Sequence, residues 1–264
     1  MLPVLLKFGN VTIRSYGVMI FIAFLVGVWQ FRVRTRKLGV TPQEVRNFAL
    51  IALVMMVVSS RLFYVAFHWS EFRHNIIGIF AFWRGGLSGL MFYGGYITGF
   101  LATLIYSWAK KMPKLKIQDA IAPSIVLGEG ITRIGCFLNG CCFGKPTDLP
   151  IGVVFPAGSA AGSVFPGQPI HPTQLYASFG GFFLFFLATR LEKLHLKEGV
   201  VFAILLTLCS LFRFCVDFLR YYEDAANYRG NQIASLAMTL VGVVCLVVFS
   251  LRKRAPVTHA TGRD

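Results

Sequence analysis

Apolar stretches alternate with short basic segments along the whole chain. A helix that crosses a bilayer needs about 20 mostly apolar residues. Seven stretches come near that length: 16–31, 47–67, 87–108, 119–141, 173–189, 199–219 and 232–251. The fourth is the least apolar, because glycines and polar residues interrupt it. The first is followed by Arg32, Arg34, Arg36 and Lys37 where a small-residue cleavage site would stand, which predicts a retained span and not a signal peptide.

The basic residues orient the spans. Sixteen of the 26 Lys and Arg follow the first, third, fifth and seventh stretches. Seven lie on the alternate side, and Arg61, Arg133 and Arg213 fall inside spans. Cytoplasmic loops carry the Lys and Arg excess, so the N-terminus is expected outside and the C-terminus in the cytoplasm. That arrangement requires an odd number of crossings, in agreement with seven. The predicted fold class is an all-α integral membrane protein of seven transmembrane helices. No internal repeat is visible, so residues 1–264 are read as one domain. The outer segment 142–172 is rich in Gly and Pro yet carries Ile151, Val153, Val154 and Phe155. It is expected to be a small structured element on the outer leaflet.

Composition supports a membrane setting. Charged residues make up 14% of the 264, against about 25% in soluble domains. Hydrophobic residues reach 56%, and mean hydropathy is +0.65. So few charges do not cover the surface of a soluble globule of this size. The net charge of +15 fits cytoplasmic loops and an anionic lipid partner. No basic helix with base-reading residues is present, and no nucleic-acid partner is expected.

Charges inside spans are costly, roughly 2.5–3.5 kcal/mol each on insertion scales, and mark function by default. They are Arg61, Glu129, Arg133, Arg213 and Asp217, with Arg220 at the outer end of the sixth span. Glu129 and Arg133, like Arg213 and Asp217, are four apart and share a helix face. Two readings stand: self-neutralising ion pairs that lock helices, or an anion site in which guanidinium donors meet a phosphate. Arg suits the second because its planar fork binds phosphate oxygens bidentately. Arg61 follows Ser59 and Ser60 in the outer half of its span, and snorkelling outwards is the alternative to a site role.

The third span contains Tyr93-Gly94-Gly95, a packing feature or a place where backbone N–H groups and a phenol face a ligand. The fourth, Gly128 to Gly144, persists in a membrane only where it faces protein or a water-filled cavity, and it is read as the wall of a cavity. Cys136, Cys141 and Cys142 lie near its outer end. Their spacing is not that of a zinc site. Small cavity-lining residues, a Cys136–Cys141 bridge and a reactive nucleophile all remain open. Cys209, Cys215 and Cys245 read as packing residues.

Several segments together resemble the bacterial prolipoprotein diacylglyceryl transferase family. Thr132-Arg133-Ile134-Gly135-Cys136-Phe137-Leu138-Asn139-Gly140 resembles the signature G-R-I-G-N-F-I-N-G. His171-Pro172-Thr173-Gln174-Leu175-Tyr176 resembles H-P-T-Q-L-Y-E, and Arg213 to Arg220 is similar to R-F-x-V-E-F-x-R. Weaker matches surround Tyr16, Arg61 and Gln232. The resemblance implies transfer of the diacylglyceryl group of phosphatidylglycerol to the lipobox cysteine thiol of a prolipoprotein, with release of glycerol 1-phosphate. It implies no metal or organic cofactor. It places the chain in the bacterial inner membrane, with the cavity and the element at 142–172 on the periplasmic side.

On this reading Arg133 and Arg213 hold the phosphate, Arg220 gates it or adds a contact, and Tyr93 joins them as a catalytic candidate. Tyr16, Asn139, Gly144, Gly94, Gly95, His171, Asp217, Arg61 and Glu129 are the expected substrate-binding set. His171 has a second reading, as the residue that fixes the loop into the fifth span. The chain departs from the family at Tyr93 (His there), Cys136 (Asn), Cys141 (Glu), Ala177 (Glu) and Asp217 (Glu). Two alternatives accompany the transferase. One is a paralogue using the same lipid with another acceptor or water. The other is a non-enzymatic transporter of anionic lipid.

Overall fold

The computed structural model describes residues 4–8, 11–67, 69–73 and 92–252. His68, His74, Arg84, the start of the predicted third span and the basic residues from Lys253 onwards lie outside the described residues. So do the side chains of residues 91–97, Tyr93 among them.

The chain opens with a hairpin that the hydrophobic pattern did not predict, β1 (Val4–Phe8) antiparallel to β2 (Val11–Arg14). Then follow α1 (Ser15–Thr35), α2 (Pro42–Phe67), the short α3 (Trp69–Phe72), α4 (Phe92–Ala109) and α5 (Lys114–Asn139). After α5 come β3 (Val153–Val154), α6 (Ala160–Val164), β4 (Pro169–Ile170), α7 (Thr173–Leu191), α8 (Val200–Leu219) and α9 (Ala225–Leu251).

Helices occupy the described part of each predicted stretch, and among the described residues five stretches are long and apolar enough to cross a membrane. These are Ser15–Leu38, Pro42–Leu62, Lys114–Asn139, Val200–Leu219 and Ala225–Leu251. The fourth stretch, the least apolar of the seven, is one of them, because its helix starts at Lys114 and gains apolar residues ahead of the glycines. The fifth position is not, since α7 spends its first turns on Thr173, Gln174, Tyr176 and Ser178. Large apolar side chains face outwards along the helices, such as Phe179 at 72% exposure, Ile105 at 63% and Leu240 at 65%. A hydrocarbon solvent accepts such surfaces.

Two compact units divide the chain, Phe31–Ile117 and the remainder, Met1–Gln30 with Gln118–Asp264. In the first, α2 packs on α4. Asn47 Nδ2 donates to the Tyr106 hydroxyl at 3.1 Å, and Phe48 meets the Tyr106 ring edge-on at 4.6 Å. Further along, the Ser59 and Thr98 hydroxyls are hydrogen-bonded. Arg61 is buried, with its guanidinium 5.2 Å from the Phe72 ring centre. It therefore does not snorkel into solvent.

In the second unit α5, α7 and α8 share a core of Ala122, Val126, Leu184, Ala188, Val201 and Leu205. The crossing of α5 and α7 is close because both helices present glycine. A Cβ on Gly181 would stand 2.7 Å from the Gly130 nitrogen and the Val126 carbonyl oxygen. Ser178 Oγ seals the crossing by donating to the Gly130 carbonyl at 2.8 Å. Small residues let helix backbones approach in this way.

Asp119 on α5 caps α8, accepting from the Gly199 and Phe202 amides at 2.6 and 2.8 Å. Gly199 brings no side chain for the task, and the first amides of a helix need an outside acceptor. Asp119→Ala is expected to lower stability by about 1–2 kcal/mol. Thermal unfolding in detergent measures this, and an unchanged midpoint would show that water replaces the carboxylate.

Residues 140–172 form a small element with its own core. Phe143, Phe155, Ala161 and Ile170 are buried together, and β3 pairs with β4. Phe143 stacks on Tyr221, with ring centres 5.6 Å apart. Backbone bonds tie the element to the end of α8: Lys145 N–H to the Leu219 carbonyl at 2.8 Å and Tyr221 N–H to the Phe143 carbonyl at 3.0 Å. Gly144 lies where three backbone segments meet. A Cβ there would stand 2.5 Å from the His171 carbonyl oxygen and 2.9 Å from that of Leu219.

Candidate active site

A cavity lies among α5, α7, α8 and the loop after α5. Its charged lining comprises Glu129, Arg133, Arg213, Asp217 and Arg220, and Cys142, Thr173, Ala177 and Cys209 also face it. The fold thus joins the two charged pairs that the sequence placed on separate spans. The i,i+4 spacing on α5 puts Arg133 Nη2 3.2 Å from Glu129 Oε1. On α8, Arg213 Nε is 3.5 Å from Asp217 Oδ2. Both ion pairs expected from the spacing therefore form, and they form inside a cavity.

Arg220 lies just beyond the end of α8 and does not continue its helical face. The helix ends at Leu219, Arg220 adopts an extended backbone, and it bridges to Gly144. Its side chain turns back, so Nη1 lies 4.0 Å from Asp217 Oδ1 and the guanidinium 5.0 Å from the Tyr222 ring centre. The Tyr222 hydroxyl donates to Asp217 Oδ1 at 2.8 Å. Burial pushes the Tyr222 phenol up to about 12, so it remains a donor across the working pH range. Asp217 is 1% exposed and holds two arginines and a tyrosine around one carboxylate.

Three arginines against two carboxylates leave the cavity one positive charge in excess. An excess of partly buried guanidinium favours an anion that balances it. Ala177 faces the cavity where the resembling motif carries Glu, so among the described residues no third carboxylate lines it.

Other expected site residues sit around this cavity or elsewhere. Tyr16, in the first turn of α1, is held on α5 by the close approach of Gly135, whose Cβ would stand 2.8 Å from Met19 Cβ and 3.3 Å from Tyr16 Cα. It lies within electrostatic reach of Arg133 and the three neighbouring cysteines. Asn139 is the last residue of α5. His171 bonds Tyr176 through Nδ1 at 3.2 Å, and its backbone pairs with Gly144 and Lys145. Among the described residues Tyr16, Asn139, Gly144 and His171 do not line the cavity, and the bonds of His171 match its reading as a loop-fixing residue. Arg61 belongs to the other unit, and Gly94 and Gly95 are described only as helical backbone.

Sequence reasoning did not assign Tyr222 or Thr173 to the site, and it treated Cys209 as packing. The Cys209 thiol in fact donates to Glu129 Oε2 at 3.4 Å. Its position four residues before Arg213, on the charged face, was the available signal.

Long apolar helices around an arginine-rich cavity are the architecture of a membrane protein. Comparison with known proteins narrows this class. The family model described as prolipoprotein diacylglyceryl transferase matches residues 3–248. The chain belongs to that family. It is similar to the phosphatidylglycerol–prolipoprotein diacylglyceryl transferase of a Nostoc species, 32% identical over 259 residues, covering 96% of this chain and 90% of that protein. The enzyme of the same name from Clostridium tetani is 32% identical over 261 residues, covering 96% and 100%. That from Geobacter sulfurreducens is 31% identical over 263 residues, covering 96% and 97%.

Proposed function

We propose that the chain transfers the diacylglyceryl group of phosphatidylglycerol to the lipobox cysteine thiol of prolipoproteins, with Arg133, Arg213 and Arg220 as the phosphate site. The observation that carries this reading is the convergence of three guanidiniums and two carboxylates in one cavity of a family member. In the reaction a C–S bond forms between the acceptor sulfur and a glyceryl carbon. The C–O bond to phosphate breaks, its electron pair leaves on glycerol 1-phosphate, and the thiol proton passes to phosphate or solvent. Negative charge develops on the leaving oxygen. Preorganised guanidiniums in a cavity of low dielectric stabilise it more than water does. The same positive field favours the acceptor thiolate, whose free pKa is about 8.5.

Tyr93 stands where the family resemblance has His. We assign it the orientation of the head group, with Tyr16, Asn139 and Gly144 shaping the rim and Gly94 and Gly95 offering backbone amides. Glu129 and Asp217 hold the arginines.

The test is transfer of radiolabelled glyceride from phosphatidylglycerol to a lipobox peptide by the purified protein in micelles. Labelled thioether peptide and glycerol 1-phosphate in equal amounts are expected. Release of free diacylglycerol without peptide labelling would overturn the acceptor and favour the paralogue reading, which the Tyr93, Cys136 and Cys141 departures support.

The seven-span topology belongs to the same proposal, with an outer N-terminus, a cytoplasmic C-terminus and the cavity opening on the periplasmic side of the inner membrane. A cysteine placed at Gly158 should react with a membrane-impermeant thiol reagent added to spheroplasts, and a cytoplasmic reporter fused at Asp264 should be active. Labelling from the cytoplasmic face alone would overturn the orientation.

A further inference from the structure

The spacing of Cys136, Cys141 and Cys142 does not suggest a metal, yet the fold gathers them. Their three Sγ atoms all lie within 4.8 Å of one another. The reason is the way α5 ends. Gly140 adopts φ +72°, the Cys141 amide bonds back to the Cys136 carbonyl at 3.1 Å, and the Gly140 amide to that of Phe137 at 3.2 Å. This paired closure is a Schellman stop, and its left-handed residue is usually glycine. It folds the chain back so that Cys141 and Cys142 return over Cys136.

Cys142 itself has φ +60°, a conformation that costs a non-glycine residue energy and persists only where surroundings enforce it. Here they do. Thr173 Oγ1 donates to the Cys142 carbonyl and Gln174 Nε2 to the Cys141 carbonyl, each at 2.9 Å, and both side chains are buried. Two residues of α7 thus hold the turn from outside, independently of the thiols. All six cysteines of the chain are free thiols in this structure.

We propose that Cys136, Cys141 and Cys142 form a trigonal thiolate site for a soft monovalent cation of the copper(I) class, set into the wall of the cavity. Metal–sulfur bonds of about 2.3 Å in a trigonal plane need sulfurs about 4.0 Å apart, within small side-chain rotations of those present. Thiolate sulfur selects copper(I) and zinc over hard cations. Closed zinc sites take four protein ligands, and no His, Asp or Glu among the described residues joins the three sulfurs. Three coordination satisfies copper(I).

Binding exchanges three S–H bonds for three Cu–S bonds and releases three protons to solvent, and copper stays monovalent. The complex then carries two negative charges. Arg133 and Arg220 line the same cavity as Cys142 and balance them. The loaded site and an anionic ligand therefore draw on the same two guanidiniums.

The test titrates the full chain in micelles, anaerobically and fully reduced, with copper(I) against bathocuproine disulfonate. One equivalent is expected to bind, with near-ultraviolet thiolate-to-copper charge transfer and three sulfur neighbours by X-ray absorption. Cys136→Ser, Cys141→Ser and Cys142→Ser should each weaken binding by more than the roughly 10–100-fold that loss of an outer-shell partner costs at a metal site. The double variant Cys215→Ser/Cys245→Ser should bind as the native chain does. Copper binding that survives all three single variants, or that disappears in the double variant, overturns the assignment. So does tighter binding of zinc than of copper(I).

Discussion

Arg133→Ala and Arg213→Ala are each expected to lower glyceride transfer by roughly 10²–10⁴-fold. The size follows from two charge-assisted hydrogen bonds of about 1.5–3 kcal/mol each, at 1.36 kcal/mol per tenfold in rate. A complication lies in the partners. Removing Arg133 leaves Glu129 without its ion pair, and removing Arg213 strips Asp217 of a neighbour 3.5 Å away. Either change threatens folding as well as catalysis. The lysine variants separate the two effects. Arg133→Lys and Arg213→Lys keep the charge that balances the carboxylate, so insertion and thermal stability should stay close to native. An ammonium is a point charge without the planar fork, and transfer should still fall by about 10–10²-fold, one such bond's worth. The measurement is initial rate in micelles at saturating peptide, beside the unfolding midpoint of each variant. Lysine variants as active as the native protein at both positions would refute a bidentate phosphate clamp.

The sequence made the charged residues legible because the bilayer makes charge conspicuous. Glu129, Arg133, Arg213 and Asp217 stand out in apolar surroundings, and i,i+4 spacing pairs them without knowledge of tertiary structure. What the spacing does not contain is the meeting of the two pairs. That depends on the crossing of α5 with α7 at Gly130 and Gly181, and on the packing of α8 against α7. Helix positions were legible from hydropathy, yet helix ends were not. α9 begins at Ala225, several residues before its apolar run, because Asp224 caps it by accepting from the Ala226 amide at 2.9 Å. α5 begins at Lys114, directly after Pro113, and runs on through Pro123.

The cysteine cluster was hidden for a different reason. Metal-site spacings assume ligands on one turn or hairpin, and here a helix and the reversal that ends it supply them. The β1–β2 hairpin escaped because its apolar and polar residues alternate too briefly to stand apart from the span that follows. Arg220 illustrates the limit of helical periodicity. Three residues after Asp217 it belongs on the same face of a continuing helix, but the backbone pairing of Gly144 with Arg220 ends α8 first and lets the side chain return by another path.

Asp217 should be the most sensitive position outside the arginines, and through a distinguishable mechanism. Its carboxylate has no part in the bond-making steps proposed for the acceptor thiol; it sets where Arg213 and Arg220 stand and takes the Tyr222 hydrogen bond. It is therefore a positioning residue. Asp217→Ala leaves two partly buried guanidiniums without their shared anion, a change of the kind that costs up to about 3–5 kcal/mol. A large drop in unfolding midpoint is expected, with transfer lost. Asp217→Asn keeps the shape and an acceptor oxygen for Tyr222 but removes the charge, so the cavity gains one unit of positive potential. Phosphatidylglycerol should then bind at least as tightly while turnover falls about 10–10²-fold, because the arginines are no longer held in register with the leaving oxygen. Asp217→Glu restores the carboxylate one methylene further out, the residue found in the resembling family motif, and should recover most of the turnover. The KM-against-kcat split decides the role. If Asp217→Asn raises KM and leaves kcat unchanged, the carboxylate acts in lipid binding and not in holding the arginines for the leaving group.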